Sequence, residues 1–394
     1  MTRHMQFKTL FLELLIFLFC TKLFSENISD SVYNFSLDIP EGFSLAEVSD
    51  DQMSYHFTHP NYPVEFILKI YDDNSYTSSK LPLETALNKL SASMNIDVFP
   101  WNETDICSLT NFSMTLDQEY SGWAVSAPLK KKNSYVVILS YCPSDVFDSC
   151  APFVMSIINS LCTNEDYYCY PGIIVSYAYP KEGKKDIKLK IGKNTVNSSI
   201  DVTDVEAAQF IISMEFSVLK LYSNHNLWKE AWQRYYRMIY RDEYGRLGQF
   251  SSDFFDTIYP LCQKENPENP SLCYAQKILS WVQDFNYKRD TESASSSDFT
   301  SLPAVLCGQG NDCDSRSLLV CTLLRAANLE SFMLISNEYS HAMATFENIA
   351  PGQKYTIEGT NREFLMGETT AKVTWGTIAQ DQADRSKWIP VILP

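Results

Sequence analysis

Apolar and polar positions alternate in short runs between residues 35 and 141, then recur at helical spacing between residues 203 and 287. Phe35 to Ile39, Met53 to His59 and Val64 to Tyr71 have the two-residue period of strands. Leu83, Ala86, Leu87, Leu90 and Met94 fall on one face of a helix near 83–94. Strands are predicted again at Phe112 to Leu116, Gly122 to Ala127 and Tyr135 to Tyr141, with a closing helix from about Val146 to Leu161. Together these elements make one unit over residues 30–162, an antiparallel sheet with packed helices. The short basic run Lys130-Lys131-Lys132 lies at the turn before Tyr135 and reads as solvated.

Residues 163–202 form a junction with Pro171-Gly172, a Lys/Gly turn at Lys181 to Lys185 and hairpin-like strands around Ile187 to Ile191. Thr203-Asp204-Val205-Glu206 has the form of a capping box and opens a helix to about Tyr222. The next helix carries Trp228, Trp232, Tyr235, Tyr236, Ile239 and Tyr240 on one stripe, which reads as a core seam. Phe254 to Leu261 and Pro270 to Tyr287 complete a helical layer, and the serine-rich acidic stretch Thr291 to Asp298 reads as a surface loop. The expected class is α+β in two domains, 30–162 and 163–394, with the core of the second at 270–360.

The first 25 residues stand apart. Arg3, His4 and Lys8 precede an apolar run from Leu10 to Cys20, and Leu23-Phe24-Ser25 offers a processing site, so the segment reads as an export signal. The apolar run is too short for a membrane span. Phe19 disfavours a lipid anchor on Cys20. The chain carries a formal charge of −16, and residues 1–25 hold three basic residues against Glu13, so the processed chain carries −18. That charge repels phosphate backbones and makes nucleic acid a poor partner. Ten cysteines remain after processing, many for a reducing cytosol, and Cys142/Cys150, Cys162/Cys169 and Cys262/Cys273 are spaced to close local loops.

The candidate chemistry lies in three neighbouring elements. Cys313 opens a helix-like run from Asn311 to Ala327, whose Leu318, Leu319, Leu323 and Leu324 form a buried face. Asp312 and Asp314 are good capping residues, so Cys313 falls in the first turn, where the helix dipole favours a thiolate. His341 follows the loop Asn337-Glu338-Tyr339-Ser340 and opens the run to Phe346, and Glu358 ends the run from Lys354. A thiol, an imidazole and an orienting carboxylate are the set needed for nucleophilic attack on an amide carbonyl. Asn361 is a second candidate orienter. Cys307, Cys313 and Cys321 lack the paired spacing of a zinc site, so no metal or cofactor is expected. His56 and His59, three apart on a strand, are expected on opposite faces at the surface.

Gly308-Gln309-Gly310-Asn311-Asp312-Cys313, Leu323-Leu324-Arg325-Ala326-Ala327, His341-Ala342 and Tyr355-Thr356-Ile357-Glu358-Gly359-Thr360 resemble the core of bacterial transglutaminase-like cysteine enzymes. Ile278 to Tyr287 is similar to the helix that precedes the cysteine in that superfamily. The family usually carries aspartate where Glu358 stands and often an aromatic residue where Met343 stands. The resemblance implies a papain-like fold for the second domain, with Cys313 as nucleophile, His341 as base and Glu358 as orienter. It also implies oxyanion donors from the Cys313 backbone and a side chain upstream, for which Gln309 is the candidate. The first domain resembles small PsbP-like domains of exported bacterial proteins in its order of elements. The expected function is an exported thiol enzyme, periplasmic, cell-surface or secreted, acting on peptide or glutamine carboxamide bonds of a protein or peptide substrate. Hydrolysis is preferred to amine transfer. The rival expectation is an inactive transglutaminase-like binding protein.

Overall fold

The computed structural model describes residues 27–102, 104–131, 133–164, 168–289 and 296–394; the expected signal segment and most of the stretch 291–298 lie outside them. In the first unit, β1 (Asn27–Asp30) and β2 (Phe35–Asp38) pair in a small sheet. A larger antiparallel sheet comprises β3 (Ser44–Val48), β4 (Ser54–Thr58), β5 (Glu65–Asp72), β6 (Ser93–Met94), β7 (Asp97–Pro100), β8 (Ile106–Thr115), β9 (Glu119–Pro128) and β10 (Ser134–Pro143). Its order is β3-β4-β5-β10-β9-β8-β6, with β7 also on β8. β10 is central and covered on both faces, which explains its unbroken apolar run. Val136 and Ile138 face one core with Phe153 and Ile157 of α2 (Phe147–Asn159), while Val137 and Leu139 face another with Leu83 and Leu87 of α1 (Lys80–Lys89).

Several boundaries depart from the periodicity. The first helix stops at Lys89, because Ser91 takes a left-handed φ of 52° and turns the chain, and Met94 then joins strand β6. Leu161 leaves the closing helix for β11 (Leu161–Cys162), which pairs with β2. His59 is not a surface residue: it is buried, with Nε2 3.0 Å from the Glu41 carbonyl, whereas half-buried His56 pairs with Glu65 at 2.8 Å.

The second unit follows α3 (Ile173–Ala178) and the hairpin β12 (Lys184–Ile191) and β13 (Asn194–Asp201). Its helical layer is α4 (Asp204–Leu221), α5 (Trp228–Arg246), α6 (Gly248–Glu265) and α7 (Pro270–Gln283). The expected capping box at Thr203 is not made. Thr203 has a helical backbone and its hydroxyl donates to Asp201, while the Asp204 carboxylate accepts from the Asp201 N–H and pairs with Arg246. After short α8 (Leu302–Leu306), α9 (Cys313–Ala326) packs on β15 of an antiparallel sheet. That sheet comprises β14 (Met333–Ser336), β15 (His341–Glu347), β16 (Lys354–Thr356), β17 (Glu363–Gly367) and β18 (Ile389–Val391), in the order β16-β17-β15-β14-β18. The class is α+β.

The boundary at residue 162 does not separate the cores. Val218 of α4, Tyr222 just past its end and Ala231 of α5 are buried with Phe153, Ile157 and Leu161 of the first unit. Arg234 on α5 is 2 % exposed; it donates to the Asp38 carbonyl at 2.8 Å and Ser156 Oγ at 2.9 Å, and pairs with Glu215 at 2.7 Å. Arg237 clamps the Asp38 carboxylate, and Arg241 donates to the carbonyls of Ser160 and Leu161. A guanidinium buried in this way needs all its partners, so the first unit completes the solvation of the second.

Candidate active site

The chain reverses at Gly308, whose φ of +87° favours glycine, and reaches Asp312 in an extended conformation. Asp312 caps α9 by accepting from the Ser315 N–H at 3.3 Å. Cys313 is therefore the first helical residue, and its N–H belongs to the first turn, which has no partner within a helix. Leu318, Leu319, Leu323 and Leu324 are wholly buried and seat α9 on the sheet. The turn after β14, with Ser340 at φ 46°, delivers His341 to the start of β15. Ala342 and Ala344 have no side-chain bulk beyond Cβ, which allows α9 to approach; the Ala342 N–H reaches the Cys313 sulfur.

His341 meets a carboxylate, but not the expected one. Its Nε2 lies 2.8 Å from Oε2 of Glu368, just past the end of β17. Glu358 sits in an exposed turn beyond β16, which ends at Thr356. The reason is topological: β17 lies directly beside β15, whereas β16 is one strand further out. Asn361, also exposed, shares that outer turn region. Burial alone would raise the Glu368 carboxyl, yet hydrogen bonds from His341 and Thr370 hold it below the ordinary value. The Thr370 N–H and hydroxyl both donate to Oε1 at 2.6 Å. Donation from Nε2 to this carboxylate leaves Nδ1 as the basic nitrogen.

The thiol state differs from expectation. Burial, followed by the charges of Asp314 and Asp312, pushes the Cys313 thiol well up instead of down. Its Sγ donates to Asp314 Oδ1 at 3.2 Å, and the buried Tyr236 hydroxyl donates to the other oxygen of the same carboxylate. Asp314 is itself raised by burial, and Asp312 is pushed up to about 7 by burial and by Asp314. The helix start was expected to favour a thiolate, but burial and the two aspartates beside it hold the sulfur as a thiol. Cys313 is 3 % exposed.

Gln309 is exposed and lines a cleft of about 400 Å³ with Lys288, Asp298, Thr300 and Gly310, which Cys313 does not line. A wider cleft of about 910 Å³ near Trp281 and Trp375 is lined by none of Cys313, His341 and Glu368. Two polar residues brace the site that the spacing did not reveal. Arg316, one turn after Cys313, donates to Asn311 Oδ1 at 2.7 Å, to the Phe285 carbonyl at 2.8 Å and to the Thr369 carbonyl at 3.2 Å. Gln283 donates to the carbonyls of Glu368 at 2.8 Å and Val373 at 3.0 Å. Between them they tie the cysteine loop to the segment bearing Glu368. An arginine inside an otherwise leucine-rich helix face was the available signal. Among the described residues, no three His, Cys, Asp or Glu side chains form a group that could hold a metal ion.

No family model matches the chain, and no curated protein matches it. Among solved structures, cyanobacterial PsbP (CyanoP) from Synechocystis sp. PCC 6803 is similar at 10% identity over 36% of this chain and 96% of its own, with a TM-score of 0.31. The Ran-binding protein Mog1p of Saccharomyces cerevisiae matches at 12% identity over 35% of this chain and 94% of its own, with a TM-score of 0.27. A Bacteroides thetaiotaomicron protein covers 83% of this chain and 88% of its own at 10% identity and a TM-score of 0.22. At these scores the likenesses carry nothing about the chemistry.

Proposed function

We propose that this is an exported transglutaminase-like thiol enzyme that cleaves peptide or glutamine carboxamide bonds through a thioacyl intermediate at Cys313. The carrying observation is the hydrogen bond between His341 and Glu368 at the start of the strand on which the cysteine helix packs. It orients the imidazole, fixes the proton on Nε2 and stabilises the imidazolium once formed. For this step the thiol, which donates to Asp314 in this structure, must turn to His341 and give its proton to Nδ1 as sulfur bonds to the carbonyl carbon. The Cys313 N–H at the helix start stabilises the oxyanion. Collapse breaks the C–N bond, and the imidazolium returns the proton to the departing amine. Water then attacks the thioester and regenerates the thiol; an amine in its place would make the reaction a transfer, and hydrolysis is preferred because water is abundant.

The hydrogen bond from Cys313 to Asp314 favours a second reading, in which the scaffold binds protein or peptide ligands and the buried thiol is inert. A peptide library carrying glutamine donors, followed by mass spectrometry of the trapped protein, separates the two. An acyl adduct on Cys313 that is absent from Cys313→Ala supports the enzyme. A folded protein with reduced Cys313 and no adduct from any donor leaves the binding reading.

A further inference from the structure

No disulfide bond joins any of the ten cysteines among the described residues, but two pairs of thiols stand together. Cys142, near the end of β10, is buried, and Cys150, in the first turn of α2, is part-buried against the same core, near enough for its thiol to raise that of Cys142. Cys262, in the last turn of α6, is likewise buried, and Cys273, in the first turn of α7, packs against the same core, near enough for its thiol to raise that of Cys262. Each pair has a short connection whose geometry the fold imposes. The 3-10 turn Ser144–Val146 links β10 to α2, and the turn between Glu265 and Pro270 reverses α6 into α7. The partner of each cysteine is set by helix and strand packing, whether or not a bond forms.

We propose that Cys142–Cys150 and Cys262–Cys273 are the disulfide bridges of the mature protein, formed by exchange with a small or protein-borne disulfide. In each pair the less buried sulfur, Cys150 or Cys273, meets the oxidant first. Its thiolate attacks one sulfur of the external disulfide, forming a mixed disulfide and expelling one thiolate. The buried partner, once deprotonated, attacks the sulfur of Cys150 or Cys273 and expels the second. The protein loses two hydrogens per bridge, and the external disulfide is reduced to two thiols. Burial, then the neighbouring thiol, raises Cys142 and Cys262 to about 12, so the second attack is the slow one. The first bridge fastens α2 to the sheet it covers. The second staples α6 to α7, the helix that ends in Gln283 and so braces Glu368.

The test is peptide mapping of the full chain incubated with glutathione disulfide, alkylated after unfolding without reduction, then cleaved before aspartates and after lysines. Cleavage at Asp145 and Asp148 separates Cys142 from Cys150, and cleavage after Lys264 separates Cys262 from Cys273. The expected result is two linked peptide pairs, 142 with 150 and 262 with 273, which disappear on reduction, while fragmentation places the alkyl group of the 148–165 peptide on Cys162 and Cys313 carries its own. Alkylation of all four as free thiols, or linkage of any of them to a different cysteine, overturns the assignment. The assay reads connectivity alone, so a catalytically silent protein gives the same map.

Discussion

The carboxylate of Glu368 lies 2.8 Å from His341 Nε2, and Glu358, ten residues earlier, lies in an exposed turn. If the pair works as the orienting half of a triad, Glu368→Gln lowers turnover by a factor on the order of 10⁴, the effect of neutralising a triad acid. Glu358→Gln leaves it unchanged. Acyl-adduct formation on Cys313, timed by mass spectrometry for both variants, checks the contrast. A loss confined to Glu358→Gln would return the role to Glu358.

Asp314 accepts from the thiol of Cys313 and carries one of the charges that raise it. Asp314→Asn is expected to speed alkylation of native Cys313 at pH 8 by about tenfold, the effect of roughly one pKa unit on the thiolate fraction. Labelling with iodoacetamide against time measures it, and the same rate in both proteins would show that the aspartate does not restrain the sulfur.

The Asp312 carboxyl is pushed up to about 7 from an ordinary 3.8, by burial first and then by Asp314. A native acid with a raised pKa binds protons more tightly than the unfolded chain does. Its contribution to stability is therefore greatest below the ordinary value, falls as pH rises through the window from 3.8 to about 7, and levels off above it. Asp312→Asn keeps a good helix cap and flattens that slope. Urea midpoints across pH 4 to 8 for the two proteins provide the comparison.

Arg234 is held by Glu215, Ser156 and the Asp38 carbonyl across the boundary between the two units. Removing it strands a buried Glu215 charge, so Arg234→Ala is expected to destabilise the whole chain by about 3–5 kcal/mol. One transition in denaturant should shift for both units together. For the same reason a fragment of residues 163–394 exposes Val218, Tyr222 and Ala231 and is expected to aggregate; a soluble, folded fragment would show that the shared core is dispensable.

The local pattern of the chain determined most of what depends on near neighbours. The alternation at Val64 to Tyr71 and Tyr135 to Tyr141, the stripe ending in Tyr235, Tyr236, Ile239 and Tyr240, and the cap at Asp312 with leucines behind it all became elements close to where their spacing put them. Cys313 fell at the first helical residue because capping chemistry spans only a few residues. Tertiary structure decided what depends on who lies beside whom. The carboxylate on His341 follows from β17 lying inside β16, an ordering of strands that no run of residues encodes locally. The protonated state of Cys313 follows from burial of the sulfur and then from the charges of Asp314 and Asp312 beside it, which reverses the effect expected of a helix start. The fusion of the two units follows from three arginines on α5, Arg234 and Arg241 buried and Arg237 half-buried, whose acceptors the first unit supplies.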